Sequence, residues 1–313
     1  MAKINNIHID SLSKFIKEIE NISIDRKEIF YRGESKKYDG INAQLFRINN
    51  NDFFLESKII NFALQRFPNL FSDCNDTLEK LVKMQHFGLP TRLIDITRNP
   101  LVALYFTCEK DPKNCGYIYF LEKKACINHK HLNYIASLTS LYPPSNIQIG
   151  NICNSIEDLY WLLRNNNILW NLDEENHEYF KEFLFKSITE SFIYLPAYTN
   201  DRIRNQQGAF IFSAYMKVAF NDDKKYKRVL ISKRKRISKK RNKIYFEKYN
   251  SDVNNMFADS VFVIQAKQKQ SILKELDLCG INEAFIYPDA EHQMKYIKTL
   301  LQPTNNSIVL NLN

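Results

Sequence analysis

Between residues 83 and 106 the chain gathers a histidine, two threonines, two arginines and an aspartate around one Gly-Leu-Pro turn, then runs apolar. The segment reads Lys83-Met84-Gln85-His86-Phe87-Gly88-Leu89-Pro90-Thr91-Arg92-Leu93-Ile94-Asp95, then Ile96-Thr97-Arg98 into Asn99-Pro100-Leu101-Val102-Ala103-Leu104-Tyr105-Phe106. Glycine and proline punctuate local structure. The helical spacing of Thr77 to His86 must therefore stop at the turn. A new helix should open at Asn99-Pro100, where proline is accepted in the first turn. Loops held by a rigid scaffold are where sites tend to sit, and this one carries most of the side chains that hold a phosphorylated ligand. A second segment, Phe30-Tyr31-Arg32-Gly33-Glu34-Ser35, has the same character: strand-like apolar residues, then charges at a glycine.

Glycine is scarce, at seven residues in 313, so each is expected to mark a positive φ or a close approach. Gly33, Gly88 and Gly208 fall in polar clusters, and at Gly33 the neighbour Arg32 suggests room for a ligand. Gly280 reads as a helix C-cap, while Gly40, Gly116 and Gly150 read as plain turns. Apolar spacing predicts helices over 11–21, 53–67, 77–86, 156–163, 175–186, 267–279 and 290–301. Strands are expected at 28–32, 116–122, 209–213, 243–249, 260–265 and 285–287. Helices dominate the first half and strands the second, with no internal repeat, which predicts α+β rather than a regular βαβ wind.

Composition excludes several classes. A chain that is 44% hydrophobic and 13% aromatic can bury a core and is not a disordered polymer. No apolar run approaches the roughly 20 residues that span a bilayer, so no membrane is expected. Met1-Ala2-Lys3-Ile4-Asn5-Asn6 lacks the apolar stretch of a secretory signal. Six scattered cysteines without a CxxC pair suit the reduced thiols of a cytosol, and a cytoplasmic protein is expected. His129 and His131 near Cys126 are too few for a metal centre, so no metal is expected. P-loop, Rossmann and nucleophile-elbow motifs are lacking. The net charge of +9 is local: residues 224–243 hold twelve Lys or Arg and no acid, leaving 32 basic against 35 acidic residues elsewhere. That run suits a solvated, like-charged insert or nonspecific attraction to a phosphate backbone.

Taken together, Tyr31-Arg32-Gly33, the run Gln85 to Asp95, and Asn99 to Phe106 resemble the FRG domain family, which is named for its Phe/Tyr-Arg-Gly motif. The resemblance continues at Arg202-Ile203-Arg204-Asn205-Gln206-Gln207-Gly208-Ala209-Phe210. It returns at Gly280-Ile281-Asn282-Glu283-Ala284-Phe285-Ile286-Tyr287-Pro288-Asp289. It implies a bacterial protein, and one FRG-type domain across 1–313, with 1–24 a helical extension and 222–250 a basic insert.

An arginine ending an early strand, followed later by Arg-x-x-x-Gln-x-x-x-Phe, is also similar to the split NAD site of ADP-ribosyltransferase-type folds. That likeness implies a central, mainly antiparallel split sheet with NAD as substrate, cleaved by a glycohydrolase or transferase acting as a toxin or antiphage effector. Arg32, beside Gly33, would then grip phosphate or ribose, Thr91 and Arg92 the pyrophosphate, and His86 a ribose hydroxyl. Gln206 and Gln207 would form a ligand wall. The later motif carries no acid where a transferase glutamate would stand, so Glu34, Asp95 or Glu109 must supply the carboxylate. Two alternatives stand beside this: a nucleic-acid-binding or nucleic-acid-acting protein using 224–243, and a noncatalytic nucleotide sensor. Duller roles are open too, above all an Arg32–Asp95 salt bridge and a structural His86.

Overall fold

The computed structural model describes residues 5–22, 28–47, 55–122, 191–198, 200–213, 216–222, 225–228, 244–248 and 253–300. The chain begins with β1 (Asn5–Ile9), α1 (Leu12–Ile22), β2 (Ile29–Glu34), α2 (Gln44–Arg47), α3 (Leu55–Arg66) and α4 (Thr77–His86). Next come β3 (Leu93–Thr97), α5 (Pro100–Cys108), β4 (Gly116–Glu122), β5 (Phe192–Tyr194), α6 (Asp201–Asn205) and β6 (Gly208–Phe212). After these lie β7 (Met216–Asp222), β8 (Lys225–Arg228), β9 (Ile244–Lys248) and β10 (Ser260–Ile264). Three helices follow: α7 (Ala266–Leu278), α8 (Glu283–Ile286) and α9 (Ala290–Leu300).

Seven strands form one sheet in the order β1-β10-β4-β2-β3-β6-β5, and β8-β7-β9 form a second. Among the described strands only β1 and β10 run parallel, and every other pairing is antiparallel. This is the expected α+β fold with a mainly antiparallel central sheet. It is also split. β2 pairs with β4 at six positions and β3 with β6 at five, yet β2 and β3 meet at Tyr31↔Thr97 alone. Beyond that bridge the strands part, and the Arg32 guanidinium, through Nη1, donates to the Asp95 carbonyl at 2.9 Å in place of a ladder bond.

Local chemistry explains the element ends that frame this opening. Asp76 caps α4, accepting from the Glu79 amide at 2.9 Å, while Glu79 reaches back to the Asn75 amide at 2.6 Å, a reciprocal cap. The far end of α4 closes on Gly88, at φ +81°, with Gly88 N–H to Gln85 and Leu89 N–H to Met84 carbonyls, the usual left-handed stop. Asn99 caps α5 through the Leu101 amide, with Pro100 following. One face of the sheet is buried under α1, α5 and α7 by residues such as Phe15, Leu104, Ile118, Phe262 and Ile272. Beside that layer α4 packs Leu78, Leu81 and Met84 on Leu93, Phe210 and Phe212. Phe30, Ile94, Ile96 and Ile211 fill a third cluster with Ile41, Leu45 and Phe46.

Four expectations need correcting. Residues 5–9, expected within a helical extension, are strand β1 and belong to the main sheet. Four of the seven large-sheet strands come from the first 122 residues, including β3, where a loop was expected. Phe285-Ile286-Tyr287 is not a strand: Asn282 caps α8 by accepting from the Phe285 amide at 3.0 Å, and the cap outweighs the β-propensity of those side chains. Gly116 is no plain turn but the first residue of β4, pressed against α5. The helices expected at 156–163 and 175–186, and Gly150, lie outside the described residues. Among the described residues no helix is long and apolar enough to cross a membrane.

Candidate functional site

The parting of β2 from β3 opens a cleft of about 720 Å³, within the range of small-molecule sites. Its floor is made of Arg32 to Glu34 on β2 and Leu93 to Thr97 on β3. Its walls come from Gln85 and His86 at the end of α4, Phe106 of α5 with Glu109 and Lys110 just after it, Arg202 and Gln206 around α6, and Tyr287. A loop carrying Tyr38 and Asn42, with Arg47 of α2, forms the remaining side.

Of three candidate carboxylates, two are engaged with cations. Glu34 is buried and accepts from Arg32 Nε at 3.1 Å. Glu109 accepts from the Tyr287 hydroxyl at 2.8 Å and lies 3.1 Å from Lys110 Nζ. Asp95 differs. It is the exposed residue of an otherwise buried strand, and among the described residues no cation pairs with its carboxylate. Gln85 Nε2 donates to Asp95 Oδ1 at 2.9 Å.

That amide is itself held. Thr91, fully buried, donates its hydroxyl to Gln85 Oε1 and accepts from the Leu93 amide at 3.1 Å. The direction of this chain is fixed by its ends. The Leu93 amide can only donate, so the threonine proton goes to Gln85 and the glutamine N–H groups face Asp95. The expected Arg32–Asp95 salt bridge is thus absent: Arg32 bonds the Asp95 carbonyl and the Glu34 carboxylate.

Other expected site residues have structural duties. Arg92 is fully buried away from the cleft, in a two-bond ion pair with Glu56 of α3, its guanidinium 4.8 Å from the centre of the Phe212 ring. Thr91 reaches the cleft only through Gln85. Gln206 lines the cleft, but its amide donates to the Ile286 carbonyl at 2.9 Å and its own carbonyl accepts from Thr97. Gln207 is outside the lining, a turn residue at φ +46° whose carbonyl accepts from the Arg98 amide. Gly33 is spoken for as well. A Cβ there would lie 2.0 Å from the Ala103 carbonyl oxygen, so the glycine admits α5 rather than a ligand.

His86 does face the cleft. Burial, then the charge of Arg202, lowers its pKa below 6.5, with His292 and Lys83 adding to the effect and Asp289 opposing it. It is a neutral imidazole at physiological pH. Tyr287 stacks on His292 at 4.7 Å and carries the Arg202 guanidinium 4.9 Å from its ring centre. The rim near Ser35 is pinned by the buried Lys269, which donates to the carbonyls of Ser35, Lys110 and Asp111 at 2.6, 2.9 and 3.1 Å.

Sequence reasoning had no role for Gln85, Tyr38 or Arg47, and took Arg202 only as the head of the Arg-x-x-x-Gln-x-x-x-Phe pattern. The first lay inside the quoted motif and was passed over beside its charged neighbours. Arg47 and Tyr38 belong to no motif, and only the fold brings them to the opening. Among the described residues no group of three or more His, Cys, Asp or Glu is placed to hold a metal ion.

Residues 27–115 match the family model of the FRG domain. Most of the lining, from Arg32 to Lys110, falls inside that match, while Arg202, Gln206 and Tyr287 fall outside it. No curated protein and no solved structure matches the chain.

Proposed function

We propose that this chain, which carries an FRG domain over residues 27–115, takes NAD into the cleft and breaks its nicotinamide–ribose bond. One observation carries the reading: Asp95, a carboxylate with no cation partner among the described residues, is presented by a central strand into a cleft that also holds arginines and aromatic rings. An unpaired carboxylate beside guanidiniums suits a ligand that is anionic in one part and becomes cationic in another. NAD is such a ligand. Its diphosphate is negative, and its ribose C1′ becomes positive as nicotinamide departs.

The step balances without a metal or an acid. The C1′–N bond breaks, its electron pair leaves on the ring nitrogen, and neutral nicotinamide departs. The ribosyl cation left behind is stabilised by the Asp95 carboxylate, and a water oxygen then bonds to C1′ while its proton passes to that carboxylate. Fixed charge aimed at developing charge is often the largest contribution to catalysis. The Thr91–Gln85 chain fixes the orientation of Asp95 before substrate arrives. An acceptor hydroxyl or amine in place of water would make the same step a transfer.

The deciding measurement is nicotinamide release from NAD by the purified chain, beside Asp95→Asn. We expect a fall of about 100-fold or more in the variant with unchanged melting temperature, the size typical of losing one preorganised electrostatic group. Release by Asp95→Asn at the wild-type rate rules out its role. A wild-type chain that shifts its melting temperature with NAD but releases nothing is a sensor. A chain that does neither leaves the basic residues 224–243 and nucleic acid as the reading to pursue. Deleting 229–243 should leave nicotinamide release intact.

A further inference from the structure

The expected pyrophosphate ligands Thr91 and Arg92 are withdrawn from the cleft, so any phosphate must be held elsewhere. We infer that Arg47, together with Arg32, forms the phosphate subsite of this cleft, an assignment that rests on the nucleotide reading above. Three observations carry it.

First, Arg47 is a guanidinium fixed in place. Its Nε donates to the Asn42 carbonyl at 3.0 Å and its Cζ lies 5.1 Å from the centre of the Tyr38 ring. Asn42 in turn donates to the Asp39 carbonyl at 3.1 Å, next to Gly40 at φ +78°. The short helix that bears Arg47 is moored by the buried Leu45 and Phe46 and by the Leu45 amide on the Thr91 carbonyl at 3.1 Å.

Second, the fork points at no protein anion. Among the described residues Arg47 makes no salt bridge, and its two terminal nitrogens make no hydrogen bond. Arg32 spends Nε on Glu34 and Nη1 on the Asp95 carbonyl, leaving Nη2.

Third, the two arginines crowd each other. Arg47 stays exposed to solvent at the rim, yet partial desolvation and then the neighbouring Arg32 charge lower its pKa, against a weaker opposing pull from Glu34. Two guanidiniums gathered in a cleft with one carboxylate between them carry an excess of positive charge. A phosphate oxygen relieves it, and the planar fork matches phosphate geometry with two parallel N–H bonds. Because Tyr38 and Asn42 already hold the side chain, little rotamer freedom is lost on binding. Arg32 joins the subsite to Asp95, since its Nη1 donates to the Asp95 carbonyl at 2.9 Å. A diphosphate held there would leave the attached ribose to extend toward Asp95.

The test is titration calorimetry of the full chain with ADP-ribose and, separately, with adenosine, which lacks phosphate. We expect Arg47→Ala to weaken ADP-ribose binding about tenfold or more while leaving adenosine affinity unchanged. Arg47→Lys should recover only part of the loss, because charge returns without the fork. Circular dichroism and melting temperature confirm that each variant folds. Wild type and Arg47→Ala binding ADP-ribose equally would overturn the subsite and leave the nucleotide reading standing. Equal weakening for both ligands would overturn it too, since the residue would then shape the cleft rather than hold phosphate. A wild-type chain that binds neither ligand overturns both readings.

Discussion

Two arginines sixty residues apart show how little a side chain's type says about its work. Arg32 and Arg92 both stand in conspicuous motifs, and both were natural candidates for ligand binding. Arg92 is instead sealed in the core against Glu56. Removing one partner of such a pair strands a buried charge, at a cost of about 3–5 kcal/mol. Arg92→Ala should therefore lower the chemical denaturation midpoint sharply, and lose activity only as far as it unfolds. Replacing both partners with Met and Leu should restore much of that stability. A wild-type midpoint in Arg92→Ala would mean the pair contributes nothing. The motif around residue 92 was legible as important. Its importance is architectural, and nothing in a linear pattern tells a buried arginine from a ligand-facing one until Glu56 is known to lie beside it.

At the scale of elements, α5 is seated on two glycines. A Cβ on Gly33 would meet the Ala103 carbonyl oxygen at 2.0 Å, and one on Gly116 would meet Thr107 Cγ2 at 2.3 Å. Backbone oxygen cannot step aside as a side chain can. Gly33→Ala should cost about 3 kcal/mol, the upper end of ordinary overpacking. Trimming Thr107 to alanine should not rescue it, because the Ala103 oxygen stays in place. A melting temperature within a degree of wild type would show that the helix can retreat freely.

Elements with a strong period or cap were readable from the chain: α4, α7, β4 and β10 fall within two residues of expectation, and α5 opens at Asn99-Pro100 as expected. Those set by long-range pairing were not. β3 alternates too weakly to declare itself, and β1 is a strand because β10 lies beside it. The same holds for the cleft. Its Arg32 and Asp95 floor was legible, whereas the Tyr38 and Arg47 side exists only once the loop after β2 has folded back.

For the whole molecule, acidity is a lever on stability. Folding lowers the pKa of His86 below its ordinary 6.5, so the unfolded chain takes up the proton first as pH falls. The contribution of His86 is intact above about pH 6.5 and is lost as pH drops from there through the folded value. Arg202, Lys83 and His292 act to hold the ring neutral and Asp289 acts against them. Melting temperature should fall from pH 7 to pH 5, and His86→Gln should flatten that slope. Parallel slopes for the two proteins would assign the acid sensitivity to other groups.

The placement of β10 between β1 and β4 also governs how the chain comes into being. Synthesis delivers residues 5–9 first and residues 260–264 far later, yet the later strand must sit between two that are already made. Until residue 264 clears the ribosome, β4 offers a bare strand edge and β1 has no partner in the sheet. Such long-range closure is slow and exposes edges to wrong pairing. A nascent chain of this protein should thus stay dependent on holding chaperones until β10 is made, with β1 joining the main sheet only then.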